Sequence, residues 1–168
     1  MGHNTLAMYD NVVPLIQPID LGTTATATPY LDLVGAHRLA YLIQFGVTTQ
    51  NASTDRINIS IAAATGEGAV AETALAWTYR VSDVVTANTW GAVTAVTAAA
   101  GLDIDNEQEG MSFWCEVDLD TLGTTDMRFI RMLIEPAAFT AVFCSVVAFI
   151  DTRYKMTTMT TATACASA

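Results

Sequence analysis

Phe113-Trp114-Cys115-Glu116-Val117-Asp118-Leu119-Asp120 is the stretch that decides the fold. Phe113, Cys115, Val117 and Leu119 alternate with Trp114, Glu116, Asp118 and Asp120, and the carboxylates belong in water. Successive side chains of a strand point to opposite faces, so this pattern marks a half-buried strand with an unambiguous inward side. The alternation recurs upstream. Ile57, Ile59 and Ile61 oppose Asn58, Ser60 and Ala62, and Leu75, Trp77, Tyr79 and Val81 oppose Ala76, Thr78, Arg80 and Ser82. Residues 39–45, 128–134 and 141–150 are apolar on both parities, which suits central strands or strands covered on both sides. These three are expected to be the most buried.

Turn-forming residues separate the candidate strands: Gly22, Gly35-Ala36-His37, residues 48–55 and 65–68, Ser82-Asp83, residues 103–110 and 123–126, and Glu135-Pro136. No segment shows a sustained 3.6-residue apolar period with caps. Residues 68–76 have the composition for a short helical turn, and the alanines of residues 92–100 serve either state. The expected fold is therefore all-β: a two-sheet antiparallel sandwich, jelly-roll-like, of about eight strands. An irregular segment through Pro14 and Pro18 is expected to lie over it. The implied organisation is an N-terminal arm (1–14), a β-sandwich domain (15–156) and a C-terminal arm (157–168).

At 168 residues the chain is long enough for one domain with a sizeable core. Hydrophobic residues make up 52% and charged residues only 14%, so the surface itself must be built from Ala, Thr, Ser and exposed apolar groups, and association is favoured. The charge is lopsided: 17 Asp and Glu against 7 Lys and Arg give a net −10. Such a chain repels phosphate backbones, which argues against nucleic acid as a partner. The longest apolar stretch, residues 137–150, is interrupted by Thr140 and Ser145 and falls short of the roughly 20 residues that cross a bilayer as a helix, so no membrane partner is expected. Residues 1–6 have neither the basic start nor the apolar core of a secretory signal. Cys115, Cys144 and Cys165 are odd in number and widely spaced, fitting neither a disulfide framework nor a zinc site, so folding in a reducing cytoplasm is expected.

Arrangements that carry chemistry are scarce. His37 stands in a turn with no recognisable nucleophile partner, and His3 lies in the expected arm. Gly110-Met111-Ser112 half resembles a nucleophile elbow but lacks the closing glycine and sits in β context, so Ser112 reads as the start of a strand. Carboxylates at 103, 105, 107 and 109 raise calcium as a candidate. The EF-hand spacing, however, requires glycine where Gln108 stands and glutamate where Trp114 stands, so a solvated acidic loop is the better reading. The sequons at Asn51 and Asn58 are read as chance matches. The expectation is a protein that is not an enzyme and uses no cofactor or metal.

Candidate partner-contacting residues are clearer. Trp114 shares parity with acidic residues and so is the exposed tryptophan, available to a partner surface or to a stacked sugar, whereas Trp77 shares parity with Leu75 and Tyr79 and belongs to the core. Arg153, Tyr154, Lys155 and Met156 put two of the seven basic residues beside an aromatic, an anchor for an acidic surface. From Thr157 through Met159 to Ala168 the chain has no charge, proline or glycine. Ordering those twelve residues costs roughly 12–24 kcal/mol. An ordered tail must therefore be docked, burying on the order of 500–1,000 Å² of apolar surface. Docking on a neighbouring subunit is preferred to closing the chain's own sheet.

The order of segments resembles a known family. Tyr30-Leu-Asp-Leu33 followed by strand 39–45, Ile57-Asn-Ile-Ser-Ile61, Leu75-Ala-Trp-Thr-Tyr-Arg80, Glu116-Val-Asp-Leu-Asp120, Phe129-Ile-Arg131 and Asp151-Thr-Arg-Tyr154 together look like the capsid decoration, or cement, proteins of tailed bacteriophages. The likeness spans about residues 15–156. It implies a β-sandwich that binds the outside of an assembled capsid, with the major capsid protein and its own copies as partners, as a homotrimer. It also implies a place on the virion surface after assembly in the host cytoplasm. A neck or tail structural protein and a carbohydrate-binding sandwich are the alternatives.

Overall fold

The computed structural model describes residues 11–53, 55–68, 71–82, 89–105, 109–122 and 127–152. Twelve strands form among them: β1 (Asn11–Asp20), β2 (Thr26–Ala27), β3 (Leu31–Asp32), β4 (Ala36–Gln50), β5 (Ile57–Ala64), β6 (Thr73–Ala74), β7 (Trp77–Val81), β8 (Thr94–Val96), β9 (Leu102–Ile104), β10 (Ser112–Asp118), β11 (Phe129–Pro136) and β12 (Phe139–Thr152). The front sheet has the order β1-β12-β4-β10-β7-β8. The back sheet has the order β2-β11-β5-β6, with β3 also on β11 and β9 also on β5. The fold is an all-β sandwich of two antiparallel six-stranded sheets, as the alternation requires. It has twelve strands instead of about eight because β2, β3, β6, β8 and β9 are two or three residues long, too short to display a period.

The spine of the front sheet is the β4–β12 ladder, which runs from Ala36 opposite Thr152 to Gln50 opposite Phe139. In the back sheet β5 and β11 pair from Ile57 opposite Pro136 to Ala64 opposite Phe129. One core joins the two sheets. Ile57, Ile59, Ile61, Ile130, Met132 and Ile134 enter it from the back, and Tyr41, Ile43, Phe113, Cys115, Val146 and Ile150 from the front. Trp77 is buried there, as its parity requires. Cys115 and Cys144 are buried free thiols; burial pushes Cys144 up to about 11, and raises Cys115 as well.

Several local expectations change. The segment through Pro14 and Pro18 is the edge strand β1, paired with β12 from Asn11 opposite Ile150 to Asp20 opposite Phe143, with register shifts on both sides of Ile16. Proline has no N–H to give a ladder, and an edge strand with bulges is where it is tolerated. The boundary expected after residue 14 therefore falls inside β1, and residues 1–10 lie outside the described residues. Strand β10 stops at Asp118, whose Oδ1 accepts the Asp120 N–H at 3.0 Å. That local bond turns the chain into the 3-10 helix Leu119–Leu122, so Leu119 and Asp120 leave the alternation. Residues 68–76 contribute β6 where a helical turn was expected, and residues 92–100 contribute β8. His37 is in β4 and not in a turn, because the chain reverses earlier, at Val34-Gly35, where Gly35 takes φ +77°.

Candidate functional site

Strand pairing places the outward residues of the front sheet in rows. One row crosses five strands as Pro14, Val147, Leu42, Trp114 and Arg80; the next is Val12, Phe149, Ala40, Glu116 and Thr78. Paired residues of an antiparallel sheet share a face, so the β1, β12 and β4 side of both rows forms one apolar block. The rows on either side are polar: Asp151, Arg38 and Asp118 towards the end of β12, and Ser145, Gln44 and Ser112 the other way. Exposure across the block is uneven. Val12 is 50% exposed and Leu42 and Val147 are half-buried, yet Phe149 is only 6% exposed although it points away from the core. Beyond the polar row, Phe143 stands 46% exposed in a register shift of the β4–β12 ladder, with Gly46 against its Cβ.

Trp114 sits in this face and is half-buried. Its Nε1 donates to Glu116 Oε1 at 2.7 Å, and its ring lies 5.1 Å from that of Phe149 at 44°. The residue two positions along the strand thus holds the indole, and the Phe149 ring flanks it. The ring is part of an apolar surface and not an isolated platform. The other candidates, Arg153, Tyr154, Lys155, Met156, Thr157 and Met159, lie outside the described residues, as do Cys165 and Glu107 of the acidic stretch. Asp103 of that stretch is in β9 and accepts from Asn58 Nδ2 at 2.7 Å. His37 Nε2 is 3.3 Å from Asp151 Oδ2 at the rim of the front face.

A second cluster was not read from the sequence. On the back sheet, Arg131 donates through Nε to Glu72 Oε1 at 2.6 Å and through its terminal nitrogen to Oε2 at 2.8 Å. Tyr30 donates to Oε1 of the same carboxylate at 3.0 Å, and the Arg131 guanidinium lies 4.9 Å over the Tyr30 ring. Bidentate pairing with a stacked aromatic suits arginine's planar fork. The hydrogen bonds from Arg131 hold the Glu72 carboxyl below its usual range, while burial and then the Glu72 bond push the Tyr30 hydroxyl up. These residues are 42 and 59 positions apart, so only the fold brings them together. Arg131 and Tyr30 also line a groove of about 830 Å³ between β1 and β2. Because the guanidinium is already committed to Glu72, the cluster acts as a brace between β11 and the segments on either side of it.

The sign of its pH dependence follows. A carboxylate whose folded-state affinity for protons is lowered adds stability above its unfolded pKa, near 4.5, and loses it as pH falls through the lower folded value. Glu72→Gln is expected to lower stability at pH 7 by about 1 kcal/mol, a partly exposed pair being worth little more. The deficit should vanish towards pH 2–3. Urea melts of both proteins across that range check it, and a deficit that persists in acid would mean that packing, not charge, is responsible.

Among the described residues no group of three or more His, Cys, Asp or Glu is placed to hold a metal, and no helix is long and apolar enough to cross a membrane. No protein-family model matches the chain, and no curated protein does. Among solved structures, the crystal structure of the SPBc2 prophage-derived protein YomS is similar over 84% of this chain and 92% of that one, with 14% identity and a TM-score of 0.39.

Proposed function

We propose that this chain is a non-catalytic structural protein of a phage particle that binds the outer surface of the capsid and stabilises it. The observation that supports the reading is the set of exposed apolar side chains along β1 and β12, Val12, Pro14, Ile19 and Phe143, on a sheet whose inner side already fills the core. Apolar groups exposed outside a complete core are what a protein-protein contact uses. The order of strand motifs, which resembles the cement proteins, supplies the partner: the major capsid protein, with further copies of this chain. Stabilisation then works by mass action, because a protein that binds the assembled shell and not its ruptured form shifts the balance towards the intact particle.

Quantitative mass spectrometry of particles from the phage that encodes the chain tests this. Hundreds of copies per particle are expected. Six or twelve copies would move the protein to the neck or tail, and absence from particles would overturn the reading.

A further inference from the structure

Two pairs of strands in the front sheet part at one end. The last paired residues of β10 and β7 are Glu116 and Thr78, whereas β10 stays on β4 as far as Asp118 opposite Arg38, and β7 stays on β8 as far as Trp77 opposite Val96. Between the two pairs lies a cleft of about 430 Å³. Among the described residues, Leu39 and Val117 line it from the β4–β10 side, and Ala76, Trp77 and Val96 from the β7–β8 side. The Glu116–Thr78 pair closes its inner end. Leu39, Val117, Trp77 and Val96 are core residues, so the cleft runs from the surface to the margin of the core. Its volume falls in the range of roughly 300–1,000 Å³ common to small-ligand sites.

Trp77 is 4% exposed, and its indole N–H has no hydrogen-bond partner. A buried donor left unpaired is costly, so an oxygen from outside the chain is favoured beside it. The charged residues of the lining are Arg38, Glu116 and Asp118. Together these groups select the ligand. An anion brings the acceptor but meets two carboxylates against one guanidinium. An ammonium ion suits the carboxylates but offers the indole nothing, and a hydrocarbon leaves the N–H unpaired. A neutral polyol answers every group: its oxygens accept from Trp77 and Arg38, its hydroxyls donate to the carboxylates, and its C–H face lies on Leu39 and Val117. Glu116 Oε1 already accepts from Trp114 and Asp118 Oδ1 from the Asp120 N–H, but a carboxylate offers about four lone-pair sites. We infer that this cleft binds the terminal ring of a neutral saccharide, with Trp77 Nε1 as the buried donor. Closure at Glu116–Thr78 makes it a dead end, which suits the end of a sugar chain and not its middle. The inference does not depend on the capsid reading, since it uses neither the apolar block nor a protein partner.

Proton–nitrogen correlation spectra of the isotope-labelled full-length chain test it, because each of the 3 tryptophans gives one indole N–H signal. Trp90→Phe and Trp114→Phe identify the Trp77 signal by elimination. The probes are glucose, galactose, mannose, rhamnose and N-acetylglucosamine, each up to about 50 mM, since a single ring is expected to bind in the millimolar range. At least one of them should move the Trp77 signal along a saturating curve while those of Trp90 and Trp114 stay in place. Ala76→Phe puts a bulky ring on an exposed wall of the cleft and should weaken that binding at least tenfold with an unchanged melting temperature. Ala95→Phe, on the same side, replaces it if the first variant does not fold. A Trp77 signal that no sugar moves would overturn the inference, as would a shift that grows linearly without saturation or survives the blocking variant. N-methylacetamide serves as a peptide-amide probe. Saturable movement with it and with none of the sugars would assign the cleft to a peptide chain and overturn the saccharide.

Discussion

Phe113→Ala is expected to cost about 3–5 kcal/mol, the usual range for removing a fully buried aromatic ring. Phe113 is 1% exposed and stands at the crossing of three front strands, opposite Ile43 on β4 and Val81 on β7. Its ring meets Phe45 edge to face at 5.7 Å and 89°, and Tyr79 at 6.1 Å. The ring therefore has specific partners in addition to its burial, and a sheet fixed by ladders on both sides cannot collapse into the space left behind. A typical domain has only about 5–15 kcal/mol in all, so the variant should lose a large share of its stability. Urea denaturation followed by tryptophan fluorescence should show a much lower midpoint with an unchanged slope. Phe113→Leu, which keeps most of the volume, should recover most of the difference. A loss below about 1 kcal/mol for alanine would mean that the core is less tightly packed than these distances imply.

The second large effect lies at a glycine. Gly101 has φ +65°, and a Cβ there would stand 2.9 Å from both Asn58 Oδ1 and the Ile59 carbonyl oxygen. The left-handed backbone alone costs an L-residue about 1–2 kcal/mol. The contact adds to that, because Ile59 belongs to the buried strand β5 and its carbonyl has nowhere to go. Asn58 is equally constrained, since its Nδ2 bonds Ala100 O at 3.2 Å and Asp103 Oδ1 at 2.7 Å. Gly101→Ala should therefore lower stability by about 3 kcal/mol, near the upper end for a single backbone effect. Gly22 supplies the control. It has φ +56° with nothing within 4 Å of a built Cβ, so Gly22→Ala should cost only the backbone share. Equal losses at the two sites would show that the clash at Gly101 is relieved at no cost.

What the sequence discloses depends on the length over which a pattern repeats. Alternation at 57–61 and 113–117 identifies β5 and β10 with the correct inward residues, because both strands span several periods and carry polar groups on one side only. The doubly apolar segments at 39–45, 128–134 and 141–150 fall on β4, β11 and β12, three of the six interior strands. Five strands of two or three residues stay hidden, since pairing with a neighbour, not periodicity, creates them. The proline-bearing edge β1 is missed for a related reason: proline penalises a strand in general but not at an unpaired border. For the site, the outward direction of Trp114 is legible by parity, but its half-burial against Phe149 is not, and the exposed tryptophan is Trp90, at 45%; the apolar block around Trp114 is equally hidden. Val12, Leu42 and Val147 each look like core residues in their own segments, and only the cross-strand register gathers them outside. The Glu72–Arg131–Tyr30 brace is equally a product of tertiary placement.

The position of β12 has a further consequence, for the timing of folding. The last described strand in the chain lies between β1 and the long β4, and among the described residues it is the only strand that pairs with β1. During synthesis the front sheet cannot close until residue 152 has cleared the ribosome. Until then β1 has no ladder, and β4 offers one unpaired edge with Leu39, Tyr41 and Ile43 beside it. The front sheet therefore closes only once β12 is available to pair with β1. Such closure is slow, because contacts far apart in sequence form only after the entropy of a long loop has been lost. A chain truncated before Phe139 would not be a smaller version of this domain; it would be a half-sheet with an open, aggregation-prone edge.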